Sequence, residues 1–268
     1  MNISRMNLMQ IWSRIHGRYQ RAVSGLFFRR LMTMRNMVPF ISFTFDDFPR
    51  SALHIGGEIL MRHGLRGTYY ASLGLMGTEA PTGTIFTLDD IREILIEGHE
   101  LGCHTYNHCH SWDTSPIVFE DSIIKNKRVL DKLVPGAAFS SFAYPIICPR
   151  PASKRLAGRY FSCCRRGGQT FNVGSVDLNI LKAYFLEKGR NNPSLVKELI
   201  DRNCQARGWL IFATHDISET PTPYGCKPSF FEDIVKYSLA SGARILPVAK
   251  AFEVIHTDSS KKQQYVIK

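Results

Sequence analysis

Between residues 38 and 256 the chain switches repeatedly between two hydrophobic periods. Residues 38–45 alternate, with Ile41, Phe43 and Phe45 on one side and Ser42 and Thr44 on the other, the period-two signature of a buried strand. Ser51 can cap a helix that runs to His63 and is closed by Gly64. Apolar runs predict further strands at 67–72, 99–103, 139–144, 160–164, 179–186, 209–214 and 243–246. Helical spacing fills 87–98, 118–133, a short basic piece after Pro151, 192–207, 230–241 and 248–255. Thr87 with Asp89 and Asp90 in the first turn, and Asn192-Pro193-Ser194, are helix starts. Arg165-Arg166-Gly167-Gly168 reads as a turn.

Strands and helices alternating in this way predict a parallel sheet with crossover helices, either a barrel or a doubly wound sheet. No internal repeat or linker divides the stretch. It is preceded by an arm, residues 1–37, in which Ile11, Trp12 and Ile15 share a helical face. That helix could lie on anionic lipid or pack across the end of the domain. Residues 257–268 are polar and read as a loose tail.

Composition refines this picture only in places. With 268 residues, 44% of them hydrophobic, the chain can bury a large core. The net charge of +11 favours anionic partners, and its placement is uneven: residues 1–45 hold seven arginines and no acid. No stripe of interleaved aromatic and basic residues marks a nucleic-acid face, so no nucleic acid is expected. Seven cysteines without repeated spacing do not form a disulfide framework. No apolar run approaches the ~20 residues of a membrane span, and Arg14, Arg18, Arg21 and Arg29 interrupt any signal-peptide core. The expected setting is cytoplasmic, with a peripheral position at the inner membrane face, held by the arm, as the alternative.

The chemistry-bearing residues fall at predicted strand ends. The first strand ends in Asp46-Asp47, adjacent carboxylates that repel each other unless a site or a helix cap uses them. A later strand feeds Gly102-Cys103-His104-Thr105-Tyr106-Asn107-His108-Cys109-His110. If that segment is helical, His104 and His108 share a face and converge as metal ligands; otherwise it is a histidine-rich loop. A third strand ends at Tyr144-Pro145 and another at His215-Asp216. In parallel α/β folds these ends form one rim, where active sites lie.

This constellation resembles the polysaccharide deacetylases, the carbohydrate esterases with a chitooligosaccharide deacetylase (NodB) homology domain. The resemblance rests on Thr44-Phe45-Asp46-Asp47, on Gly98-His99-Glu100 with Gly102 to His108, and on Leu210-Ile211-Phe212-Ala213-Thr214-His215, and covers roughly residues 38–256. It implies a distorted (β/α) barrel of about seven parallel strands. It also implies a metal-dependent hydrolase that removes N-acetyl or other short N-acyl groups from amino sugars of an oligo- or polysaccharide. Asp47, His104 and His108 would bind one divalent metal, zinc by default, with cobalt, nickel or manganese as substitutes. Asp46 would be the base that takes the proton of metal-activated water. A backbone N–H near Tyr144-Pro145 would help hold the oxyanion, and His215 would protonate the leaving amine.

The family pattern departs at Ala143-Tyr144-Pro145-Ile146, where Ala143 stands in place of an arginine that pairs with the catalytic aspartate. Arg165 and Arg166 are candidate substitutes. Asp177 is the candidate partner that orients His215, or else a turn residue, whereas Asp216 reads as a loop cap. Trp112 could stack on a sugar ring or belong to the core. Cys103 and Cys109 read as packing residues, and His110 as an exposed one. Two other functions remain open on the sequence: hydrolysis of a non-carbohydrate amide or cyclic imide, and a metal-binding domain without turnover, which the missing arginine favours.

Overall fold

The computed structural model describes residues 8–146 and 148–265. In chain order the elements are α1 (Leu8–Leu26), β1 (Leu31–Thr33), β2 (Phe40–Phe45), a π-helical turn (Ala52–Gly57) running into α2 (Glu58–Arg62), β3 (Thr68–Ala71), a small hairpin of β4 (Glu79–Ala80) and β5 (Gly83–Thr84), and α3 (Leu88–Ile96). They continue with β6 (Glu100–Cys103), α4 (Pro116–Leu133), β7 (Phe142–Ala143), α5 (Pro151–Tyr160), β8 (Cys164–Gly167), β9 (Ser175–Asp177), β10 (Leu181–Phe185), α6 (Pro193–Gln205), β11 (Trp209–Thr214), α7 (Pro228–Ala240), β12 (Arg244–Ile245) and α8 (Val248–Tyr265).

Seven parallel strands, in the order β2-β3-β6-β7-β8-β10-β11, close into a barrel when β11 pairs with β2 along its whole length. The distortion lies at β2. Its first residues, Phe40 and Ile41, pair with β12, and only its last two, Thr44 and Phe45, pair with β3. The N-terminus of α8 enters below β3, where Val248 N–H donates to Thr68 Oγ1 and Ala249 N–H to the Glu100 carboxylate.

All six residues of β2 are buried, because a barrel strand has helices on one side and the lumen on the other. Ile41, Phe43 and Phe45 join the larger core under the helices. Phe40 joins the second core with Trp209, Ile211, Ala213, Leu181 and Ala183, plugged by Val248, Ala251 and Ile255 of α8. Ser42 and Thr44 share the inward side and are satisfied there, Ser42 accepting from Trp209 Nε1 at 3.0 Å and Thr44 donating to Phe212 O at 2.8 Å. The period of two carries this inward register on to Asp46.

Two expectations are corrected. Arg165 and Arg166 are not in a turn but inside β8; two arginines followed by glycines look exposed until the partner of the first is known. The polar tail is not loose as far as Tyr265, because α8 runs on to that residue, its Lys-Lys-Gln-Gln run being helix-compatible; residues 266–268 lie outside the description. The helix of the arm lies against α5, with His16 and Tyr19 beside Trp112. The side chains of Ile11 and Trp12, and residues 1–7, lie outside the description.

Candidate active site

The C-terminal ends of β2, β6, β7, β8 and β11 deliver the candidate residues to one rim. Asp46 follows β2, its N–H bonded to Thr214 O of β11 at 2.8 Å. Its carboxylate is buried and paired with the guanidinium of Arg165, Nη1 to Oδ2 at 3.2 Å and Nη2 to Oδ1. Burial alone would raise the Asp46 carboxyl, but Arg165, with His104 and His215, outweighs it and holds Asp46 below its ordinary range. Arg165 is itself buried and lies 4.4 Å over the ring of Tyr70. On β8 it is the register partner of Ala143 on β7.

Asp47 turns away from Asp46 because the backbone enters the left-handed region there, with φ +58° at Asp47 and +53° at Phe48. Its Oδ1 lies 3.1 Å from His108 Nε2 and 3.6 Å from His104 Nε2, and its Oδ2 accepts from Thr82 at 3.2 Å. Burial opposes ionisation of Asp47, yet His108 and His104 bring its carboxyl down well below the usual value.

His104 ends β6, buried, with Nδ1 donating to Ala143 O at 2.8 Å, which leaves the Nε2 lone pair facing Asp47. Burial pushes His104 down to about 4, so the ring is neutral near pH 7. His108 is drawn down by burial but raised more by the Asp47 carboxylate. The two rings come together from a loop, not from a helix: Thr105 and His108 have φ of +62° and +52°. Thr105 Oγ1 accepts from Cys109 N–H, and Ser122 of α4 accepts from Tyr106 N–H, fixing the loop from both sides.

Asp47, His104 and His108 offer three ligand atoms within 4.8 Å of one another. Oδ1 of Asp47 is buried and lacks a well-formed hydrogen bond. An orphaned carboxylate oxygen facing two imidazole nitrogens, one fixed as a lone-pair donor, fits a divalent ion. A second cluster, His54, Asp90 and Glu93, fits one less well, since Asp90 is already engaged by Arg50 at 2.9 Å and by the Thr87 capping box.

His215 follows β11, its Nδ1 donating to Tyr224 O at 3.2 Å and its ring stacked on Phe185. Asp216 accepts from Thr222 N–H and hydroxyl, the loop-capping role read from the sequence.

Other candidates are placed elsewhere. Asp177 does not meet His215; on β9 it accepts from Lys154 Nζ at 2.6 Å and from Arg30 N–H at 3.0 Å, pinning the end of α1. Another carboxylate in the field of His215 is Glu187, after β10, whose Oε2 is buried without a partner. Burial raises Glu187, against its own N–H and His215. A strand-end acid was the only sequence signal that could have pointed to it. Tyr144 N–H is spent on Arg165 O at 3.0 Å within the sheet, and its side chain packs on Phe142. Pro145 is buried beside it. Any oxyanion donor on this loop must therefore come from a residue other than Tyr144. Trp112 donates to Cys148 O at 2.8 Å and packs against His16 and Tyr19 of α1, so its ring serves the α1 junction. Cys103 is buried core, as read from the sequence, and His110 turns to Asp113.

The sequence model of the polysaccharide deacetylase family matches residues 35–156, the span from β2 through the histidine loop to α5. That stretch, a little under half of the chain, is similar to the polysaccharide deacetylases. No curated protein matches it. Among solved structures, the chain superposes on a chitin deacetylase from Colletotrichum lindemuthianum with a TM-score of 0.57 at 18% identity, over 82% of this chain and 89% of that one. A family 4 carbohydrate esterase from Streptomyces lividans, solved with acetate, gives 0.55 at 15% identity, over 77% and 91%. A CE4 family pseudoenzyme from Bacillus anthracis gives 0.56 at 13% identity, over 80% of this chain and 65% of that one. At these identities the likeness is one of fold. The barrel is thus shared by proteins named as a deacetylase and an esterase and by one described as a pseudoenzyme.

Proposed function

We propose that the chain is a metal-dependent N-deacetylase acting on an N-acetylated amino sugar within an oligo- or polysaccharide, in a cytoplasmic setting consistent with its seven free thiols. The observation that carries the reading is the split between two adjacent carboxylates. Asp47 joins His104 and His108, while Asp46 is held apart by Arg165 as an anion that no ligand cluster consumes. A purely structural ion site needs only the first.

In this reading Asp47, His104 and His108 hold one divalent ion, with zinc as first choice. A bound ion supplies Lewis-acid polarisation of the acyl carbonyl and a more acidic water. Asp46 accepts the proton of the attacking water; Arg165 keeps it ionised and aims it. His215, its Nδ1–H fixed on Tyr224 O, presents Nε2 to the leaving amine and gives it a proton. The case for a domain without turnover rested on the missing arginine, and Arg165 supplies that guanidinium.

Metal content and acetate release on N-acetylglucosamine oligomers test this together. About one ion per chain is expected, lost in His104→Ala and kept in Asp46→Asn. Acetate release should vanish in both. Release at the native rate from Asp46→Asn would remove Asp46 from the proposed role.

A further inference from the structure

From Ile15 on, the side chains of α1 are arranged inside out. Its inward positions are polar: Gln20 and Ser24 are buried. Its outward positions Ile15, Tyr19 and Leu26 are apolar and 59%, 57% and 69% exposed. The chain leaving it keeps Phe27, Phe28 and Leu31 about half exposed. A helix that faced only water would show the reverse pattern, and a contiguous apolar surface of this kind marks an interaction site.

The surrounding charge says with what. Arg18, Arg21 and Arg29 are exposed among these apolar residues. On α5, against which α1 packs, Arg155 lies 5.5 Å over the Phe28 ring and Arg159 is exposed. Residues 1–45 contain seven arginines and no acid. Two copies of so uniformly basic a face would repel each other. Apolar side chains interleaved with arginines match the boundary of an anionic bilayer, acyl chains below and phosphates above.

The surface is carried by the folded body. Lys154 donates to Ser24 O and Phe27 O, Arg30 to Phe161 O and Ser162 O, and β1 pairs with β9. We infer that α1, the turn that follows it and the outer face of α5 dock on an anionic lipid bilayer, with Ile15, Leu26, Phe27 and Phe28 entering the headgroup boundary and the arginines meeting lipid phosphates. No described helix is long and apolar enough to cross a membrane, so the contact is peripheral.

Sedimentation of the full chain with phosphatidylcholine vesicles, with and without phosphatidylglycerol, tests this without requiring turnover, so it stands apart from the hydrolase reading. Binding is expected only to the anionic vesicles and should weaken as salt rises. The exposed pairs Leu26→Ser with Phe27→Ser, and Arg18→Ser with Arg21→Ser, should each weaken it at least about tenfold, with thermal melting unchanged. No binding, equal binding to neutral vesicles, or native binding by both double variants would overturn the inference. So would a dimer in sedimentation velocity that the Leu26/Phe27 variant dissolves.

Discussion

Arg165 and Ala143 are register partners on adjacent strands, and the guanidinium of the first is paired with the buried carboxylate of Asp46. The buried anion is therefore served laterally, from β8 instead of β7. Removing Arg165 strands a buried carboxylate, and Arg165→Ala should cost about 3–5 kcal/mol in urea unfolding and lower acetate release about a hundredfold. Moving the arginine back, in Ala143→Arg with Arg165→Ala, should recover part of both. A single variant as stable and active as the native chain would contradict the pairing.

His104 gives the ion-free protein a defined pH response. Its folded value of about 4 lies below the free histidine's, near 6.5. As pH falls from there towards 4 the unfolded chain takes up a proton that the folded chain refuses. The stability this group contributes is thus complete above the free value and lost on the way down, by roughly 3 kcal/mol. His108 is raised by Asp47, so its contribution is complete below the free value and lost as pH rises through its folded one. Urea titrations of His104→Gln and His108→Gln against the native chain should show differences of opposite slope; parallel curves would refute this.

Glu187 carries no hydrogen bond on its buried Oε2 yet sits in the field of His215. Glu187→Gln should lower kcat/KM while leaving bound metal unchanged. An unchanged kcat/KM would leave Glu187 as a packing residue.

The lumen also sets a steric test. A Cβ at residue 102 would lie 2.4 Å from the ring atoms of Tyr70, whose face carries Arg165 and whose hydroxyl meets Ser141 at 3.1 Å. Gly102→Ala is expected to cost about 1–3 kcal/mol and to slow acetate release through Asp46. Gly25→Ala, with nothing within 4 Å of its Cβ, serves as the neutral control.

The fold was legible where periodicity was long and capping was local. β2 alternates from Ile41 to Phe45, β11 is an unbroken apolar run from Trp209 to Ala213, and Thr87 with Asp90 makes a complete capping box. The residues that converge at the rim were legible too, since Asp47, His104 and His108 do meet. What sequence could not show depends on lateral neighbours. Arg165 looked like a turn residue because its partner, Asp46, is 119 positions away. Asp177 looked free to orient His215 because Lys154 and Arg30 approach it only in the folded state. Spacing of four suggested a helix for His104 and His108, but the convergence comes from left-handed backbone instead. Trp112 looked available to a sugar until α1 was found beside it.

Of the backbone kinks on this rim, Asp47, Phe48, Thr105 and His108 form the two segments that present the ion ligands. Such conformations cost about 1–3 kcal/mol each outside glycine when nothing local compensates, and they are least comfortable for Phe48 and Thr105. The barrel below holds its shape through continuous hydrogen bonding and packing, while these loops are kept bent by a handful of side-chain contacts. Ion capture and loop order would thereby be coupled: an ion that closed the Asp47–His104–His108 triangle would also steady the backbone that forms it, and the rim, rather than the sheet, is where its loss would first be felt.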